Sequence, residues 1–303
     1  MDNIRGMLLM IAAMAGFAME DMFIKAASAY LPTGQILVIL GFCGMCVFGA
    51  AAKASGASVL SRHFLHPAVI VRNVAEAVAA LSFISAITLS DLSVASAILQ
   101  AVPLVVTLGA ALLLGADVGW RRWTAITVGL AGVLMIVRPG AAGFEPVSLL
   151  AVVAVFALAA RDIATRRVPP GVPSLVLSSY GFGAAMPAGL FLIALSGGVW
   201  EPMDGGDALR LAAALLFGTS GYYALVGASR IGDIAFIAPF RYARLLFALI
   251  VGAVVFGERP DAWTLLGAAI IIASGLYTLA RERLKAVRPP GGESPLSPPR
   301  RRR

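Results

Sequence analysis

Long apolar stretches separated by short polar punctuation run through almost the whole chain. They fall at about 7–26, 34–52, 67–89, 93–115, 122–138, 147–164, 173–196, 208–228, 233–256 and 262–280. Each approaches the roughly 20 residues that a helix needs to cross a bilayer. Backbone in lipid must be satisfied within a helix or a closed barrel. These stretches are too long and too continuously apolar for barrel strands, whose residues alternate. The pattern predicts an all-α polytopic membrane protein with ten transmembrane helices.

Composition agrees. Hydrophobic residues make up 59% of the 303 positions and charged residues 13%, against about 25% charged in a soluble domain. Ten helices use about 200 residues and leave about 100 for loops and tails, which excludes a separate soluble domain. The stretch from Met1 to Ala27 has the look of a signal peptide. However, Glu20, Asp21 and Lys25 follow its apolar run and no small-residue cleavage site is convincing. It reads as a retained first helix.

The net charge of +8 does not point to nucleic acid, because the basic residues occupy short loops and the C-terminus. With a cytoplasmic N-terminus, the inside holds Arg5, Lys53, Arg62, Arg121, Arg122, Arg161, Arg166, Arg167 and Arg230. The tail adds Arg281, Arg283, Lys285, Arg288 and Arg300 to Arg303, seventeen in all. The outside holds four: Lys25, Arg138, Arg210 and Arg259. Lysine and arginine collect on the cytoplasmic side, so this split places both termini in the cytoplasm of a multi-pass inner-membrane protein. Residues 286–303 are rich in Pro, Gly, Ser and Arg, cannot bury enough apolar area to fold, and read as a disordered cytoplasmic tail. Its terminal arginines read as a topology anchor, with contact to anionic lipid as the alternative.

The two halves echo each other. Trp123-Thr124 recurs 140 residues later as Trp263-Thr264, and Phe17-Ala18-Met19-Glu20-Asp21 aligns with Leu158-Ala159-Ala160-Arg161-Asp162 at an offset of 141. At that offset Lys25 meets Arg166; Pro103 and Pro239 lie 136 apart, and Gly115 and Gly257 lie 142 apart. Five helices per copy is an odd number, so the second copy enters the membrane from the opposite side. Such inverted repeats give a fold two near-equivalent conformations around a midplane site.

The chain resembles the drug/metabolite transporter superfamily, EamA type. The resemblance rests on Arg72 opening the third helix, on Ala97–Pro103, and on Arg121-Arg122-Trp123 with Gly132-Val133 and Arg138-Pro139. Pro239 to Gly275, with Phe256-Gly257-Glu258-Arg259-Pro260, completes it. It covers about residues 5–283 and implies two EamA repeats, 5–139 and 145–283, and secondary transport of metabolites. The first repeat departs from the family pattern: Ala116-Asp117 stands where a Glu is usual after the fourth helix, while the second repeat keeps Glu258.

Ionisable residues at membrane depth are costly and mark partners or pathways. Three clusters qualify. Glu20, Asp21 and Lys25 sit near the outer end of helix 1, where Asp21 and Lys25, at i,i+4, can pair. They are either a surface pair or a gating and proton-coupling group. Arg72, Asn73 and Glu76 lie early in helix 3, with Glu76 about 14 Å along from Pro67. They form either an intrahelical ion pair or a substrate site. Arg241, Tyr242 and Arg244 lie in helix 9, with the two arginines about 12 and 16 Å from Asp233. Guanidiniums keep their protons, so these two need carboxylates, namely Glu76, Glu20 or Asp21, or an anionic ligand held as in a bidentate clamp.

Gln100, Tyr180, Tyr222 and Tyr223 can add hydrogen bonds or stacking, or serve as interfacial anchors. Pro103 and Pro239 break helix hydrogen bonds and are candidate hinges. Cys43 and Cys46 lie in an apolar helix without further ligands, and His63 and His66 in a loop, so neither a metal nor another cofactor is expected and an enzyme is disfavoured. No GxxxxGK[ST] loop occurs. The reading is a secondary transporter of a small polar or amphoteric metabolite, amino-acid-like or vitamin-like, acting as a monomer or homodimer. A broad drug or metabolite exporter and a non-transporting sensor or assembly subunit are the alternatives.

Overall fold

The computed structural model describes residues 2–59, 62–115, 119–141, 144–169, 171–231 and 234–286. The expectations that concern Asp117, Asp233 and the tail 287–303 lie outside these residues.

Among the described residues are ten helical spans long and apolar enough to cross a membrane. Eight are single helices: α1 (Asp2–Ala27), α2 (Thr33–Ala54), α3 (Pro67–Leu89), α6 (Trp120–Val137), α7 (Ser148–Thr165), α8 (Ser174–Leu195), α9 (Gly205–Ile231) and α12 (Ala262–Ala286). Two are broken. Span 4 consists of α4 (Leu92–Leu99) and α5 (Val102–Leu114), parted at Gln100 and Ala101. Span 9 consists of α10 (Ile234–Ile237), a 3-10 turn (Ala238–Tyr242) and α11 (Ala243–Val255). Pro103 lies at the start of α5 and Pro239 at the start of the 3-10 turn. A proline lacks the N–H that would continue the ladder and clashes with the preceding turn. The sequence pattern treats both spans as continuous, because apolar spacing does not register a two-residue break.

Packing exposes the repeat. Span 1 packs on span 8 and span 3 on span 6, while span 2 packs on span 7 and span 5 on span 10. Exchanging each span for the one five places away leaves this set unchanged. That is the signature of two inverted five-helix halves related by a pseudo-two-fold axis. Where a span meets its own counterpart, glycine lets the backbones touch. A Cβ on Gly34 would lie 2.8 Å from the Gly189 carbonyl, and one on Gly132 would lie 2.8 Å from that of Gly267.

An even number of spans puts the start of α1 and the end of α12 on one face, called here the terminal face. Opposite lies the far face. Ile36, Ile87, Leu92, Ile98, Leu104 and Ile271 anchor the packed interior, while residues such as Leu112, Leu216 and Val254 are exposed around the bundle, where lipid is their natural solvent.

Candidate functional site

Charged side chains in and at the end of the helical bundle gather in three layers. The layer nearer the terminal face joins α3, α7 and span 9. Arg72 lies 3.6 Å from Glu76 and donates to the Asn73 side chain at 3.1 Å and to the Leu177 carbonyl at 2.9 Å. Glu76 is shared, since Arg161 also reaches it at 3.1 Å. Arg161 donates to Asp162 at 2.8 Å as well. Arg241 lies within electrostatic range of Asp162 and Arg161, yet among the described residues it makes no hydrogen bond or ion pair. Its side chain is exposed. Tyr222 is within electrostatic range of Arg72 and stands edge-on to Phe48, with ring centroids 4.9 Å apart.

The middle layer joins α1 to α11. Arg244 donates to Asp21 at 2.7 Å. Its guanidinium lies 5.4 Å from each of the Phe17 and Phe83 rings, a cation–π arrangement that strengthens when desolvated. Glu20 abuts Gly218 of α9 and has no hydrogen bond or ion pair among the described residues.

The third layer closes the far face. Lys25 donates to Glu258 at 2.9 Å and to the Ser90 carbonyl at 2.5 Å. Glu258 accepts from the Leu92 and Ser93 amides at 2.8 and 2.9 Å and from the Ser93 hydroxyl at 2.5 Å. Burial alone would raise the Glu258 carboxyl, but these donors hold it below the ordinary carboxylate value. Beside it, burial and the nearby Glu258 charge raise Asp91.

Several expectations change. Lys25 does not pair with Asp21. Each takes a cross-bundle partner instead, because Glu258 and Arg244 approach from span 9 and its following loop. Arg161 is not a loop charge but part of α7, so it leaves the count of cytoplasmic loop residues. Tyr242 is buried against Gly275 of α12 and lies within electrostatic range of Arg241. Arg241 and Arg244 do not act as one pair. The 3-10 turn changes the angular step between them, which sends Arg244 to Asp21 and leaves Arg241 beside Asp162. Tyr180 donates to the Val59 carbonyl, and Tyr223 is exposed on the bundle.

Sequence reasoning missed Arg161 and Asp162 as site residues. The signal was present in the repeat, which aligns them with Glu20 and Asp21. The same offset of 141 aligns Gln100 with Arg241, and both stand at the helix breaks. Gln100 is buried.

Two surface cavities lie at the far face, of about 510 Å³ and about 190 Å³, and both are lined by Asp91 and Glu145. Neither touches the charge layers that contain the arginines.

Ten spans, two inverted halves and a charged centre beside the break in span 9 fit a polytopic solute transporter. The model of the EamA-like transporter family matches residues 4–138 and again 146–280, and the chain belongs to that family, within the drug/metabolite transporter superfamily. It is 27% identical to an S-adenosylmethionine uptake transporter of Rickettsia felis over 74% of each chain. It is 31% identical to a riboflavin transporter of Vibrio cholerae over 63% of this chain and 64% of that one. It is 27% identical to the pseudopaline exporter CntI of Pseudomonas aeruginosa over 89% of this chain and 94% of that one. A solved crystal structure, 21% identical, shares the fold with a TM-score of 0.61, covering 93% of this chain and 99% of that one. The protein is thus a multi-pass membrane transporter of a small-molecule metabolite.

Proposed function

We propose that this protein is a secondary transporter of the inner membrane, with both termini cytoplasmic, that carries a small amphoteric or anionic metabolite by alternating access. Arg241 binds the negative group of the solute. The observation that carries this reading is the state of its guanidinium: charged, accessible, beside the Glu76–Arg161–Asp162 network, and without a protein partner among the described residues. Glu76 and Asp162 supply negative charge for an amine on the same solute, and Arg72, Asn73, Gln100 and Tyr222 border the route. Amphoteric solutes such as S-adenosylmethionine suit a centre that offers both signs. The breaks at Pro103 and Pro239 act as hinges about which the two repeats rock.

Proton coupling through Glu20 is the second part of the reading. With Glu20 ionised, four arginines (Arg72, Arg161, Arg241, Arg244) face four carboxylates (Glu20, Asp21, Glu76, Asp162) among the described residues of these two layers. Protonating Glu20 leaves one positive charge for the solute to neutralise.

Flux into proteoliposomes tests the centre. Because Arg241 has no protein partner among the described residues, Arg241→Ala is expected to keep its thermal midpoint while losing transport by about 10- to 100-fold, the worth of a hydrogen bond to a charged group. Undiminished flux in that variant would overturn the reading.

A further inference from the structure

The N-terminus of α4 is capped from the wrong place. Asp91 occupies the N-cap position with extended backbone, φ −68° and ψ 131°, and is a residue type that caps well. Its side chain nevertheless makes no cap bond. The first amides of α4 go instead to Glu258, which belongs to the other repeat, far along the chain. A backbone turn delivers it. Gly257 adopts φ +67°, a left-handed conformation open to glycine, and the Glu258 amide bonds back to the Gly252 carbonyl at 2.9 Å. Gly252 has no side chain to block the approach, and a Cβ there would strike both Glu258 and the Ser93 hydroxyl. Lys25 completes the tie from α1, and its ammonium lies 5.2 Å from the Phe256 ring.

Beneath this knot, α4 carries Ser93 and Ser96, and its C-cap is Gln100, at a spacing that shares one face. All three are buried, and the Ser96 hydroxyl has no hydrogen-bond partner among the described residues. An unpartnered polar atom in a packed apolar interior is unfavourable. Ser93 fixes the direction of the face, since its hydroxyl meets Glu258 against Gly252 of α11. A polar stripe therefore runs from the far face, where Ser93 is shut between α4 and Gly252 of α11, to the break in span 4.

We propose that this stripe is the far-side half of the solute route and that Glu258 is its latch, with Asp91 the resident cap that replaces it when the route opens. Both carboxylates compete for the Ser93 amide. Only one can hold it, so α4 has two capped states: one tied to span 9 and one free of it. Moving α4 away from α11 then keeps the Ser93 amide capped and hands only the Leu92 amide to water. Ser96, without a partner when the route is shut, gains water or solute when it opens. This rests on the alternating-access reading, but the gate can be measured without any substrate.

The test uses a single thiol. Ser96→Cys is placed in a chain with Cys43→Ala and Cys46→Ala, reconstituted, and labelled with a membrane-impermeant maleimide from the far face. Glu258→Gln is expected to raise the labelling rate by about tenfold, roughly the effect of losing one charged cap. Ser93→Ala, a milder change that leaves the backbone caps in place, is expected to raise it less. Asp91→Ala removes the replacement cap and is expected to lower labelling below that of the parent. Equal labelling in Glu258→Gln and the parent, both monodisperse in detergent, would overturn the latch. Equal labelling in Asp91→Ala and the parent would overturn the cap exchange. Loss of flux in Arg241→Ala with an intact labelling response would separate the gate from the binding site.

Discussion

The Arg244 guanidinium donates to the Asp21 carboxylate at 2.7 Å, across the interface between span 9 of the second repeat and span 1 of the first. Asp21 is almost wholly buried, at 3% exposure. Breaking a buried pair by removing one partner costs about 3–5 kcal/mol, because the other charge is left uncompensated, whereas removing both costs less. Asp21→Ala and Arg244→Ala should therefore each lower the thermal midpoint in detergent substantially, and the double variant should be more stable than either. Additive losses in a double-mutant cycle would show that the two side chains do not depend on each other.

Glu76 is divided between Arg72 and Arg161. Glu76→Gln removes one negative charge from a centre with three arginines close by. A unit charge at a few ångströms is worth more than 1 kcal/mol even at an intermediate dielectric. Inhibition of transport by simple carboxylates should strengthen by about tenfold, and inhibition by simple amines should weaken to a similar degree. Competition assays with matched acid and amine probes would read this directly.

The far-face carboxylates respond to pH with opposite sign. Donors hold folded Glu258 below its ordinary value of 4.5, so its contribution to stability is complete above that value and is lost as pH falls toward the lower folded value. Asp91 is raised above its ordinary 3.8 by burial and by Glu258. Its ionised form therefore opposes folding above the raised value, and the penalty lifts as pH falls through it. Asp91→Asn, which retains a capping amide, should raise the thermal midpoint at pH 7, while Glu258→Gln should lower it. The Glu258→Gln deficit should shrink in scans below about pH 4.5.

The axis between the repeats tolerates no bulk. A side chain on Gly132 would meet both the Gly267 carbonyl, at 2.8 Å from its Cβ, and Ile271. Overpacking of this kind typically costs about 1–3 kcal/mol. Gly132→Val should lower the thermal midpoint, and Gly56→Val, in open space at the terminal face, serves as a strained-turn control that leaves the span 5 to span 10 contact intact. A Gly132→Val midpoint equal to the parent would contradict the close crossing.

The sequence carried much of this in a readable form. Hydropathy gave the number of spans, because lipid requires a long apolar helix wherever the chain crosses. The offset of 141 gave the repeat and already paired Arg161-Asp162 with Glu20-Asp21, although loop-charge reasoning assigned Arg161 elsewhere. Arg72 and Glu76 were legible because an i,i+4 pair is set by the helix itself. By contrast, Lys25 and Asp21 have the same spacing and do not pair. Local geometry permits such a contact, and a desolvated partner from another span outcompetes it.

The chain alone thus determined the ten spans, their two inverted halves and which residues bring charge into the membrane, since each follows from local composition and helix periodicity. The tertiary structure decided the partners: Arg244 with Asp21, Glu258 with α4, Arg161 with Glu76, and Arg241 with none among the described residues. Partner choice depends on how spans distant in sequence pack and on breaks that rotate one residue away from its neighbour. Neither is written in the periodicity of any single helix.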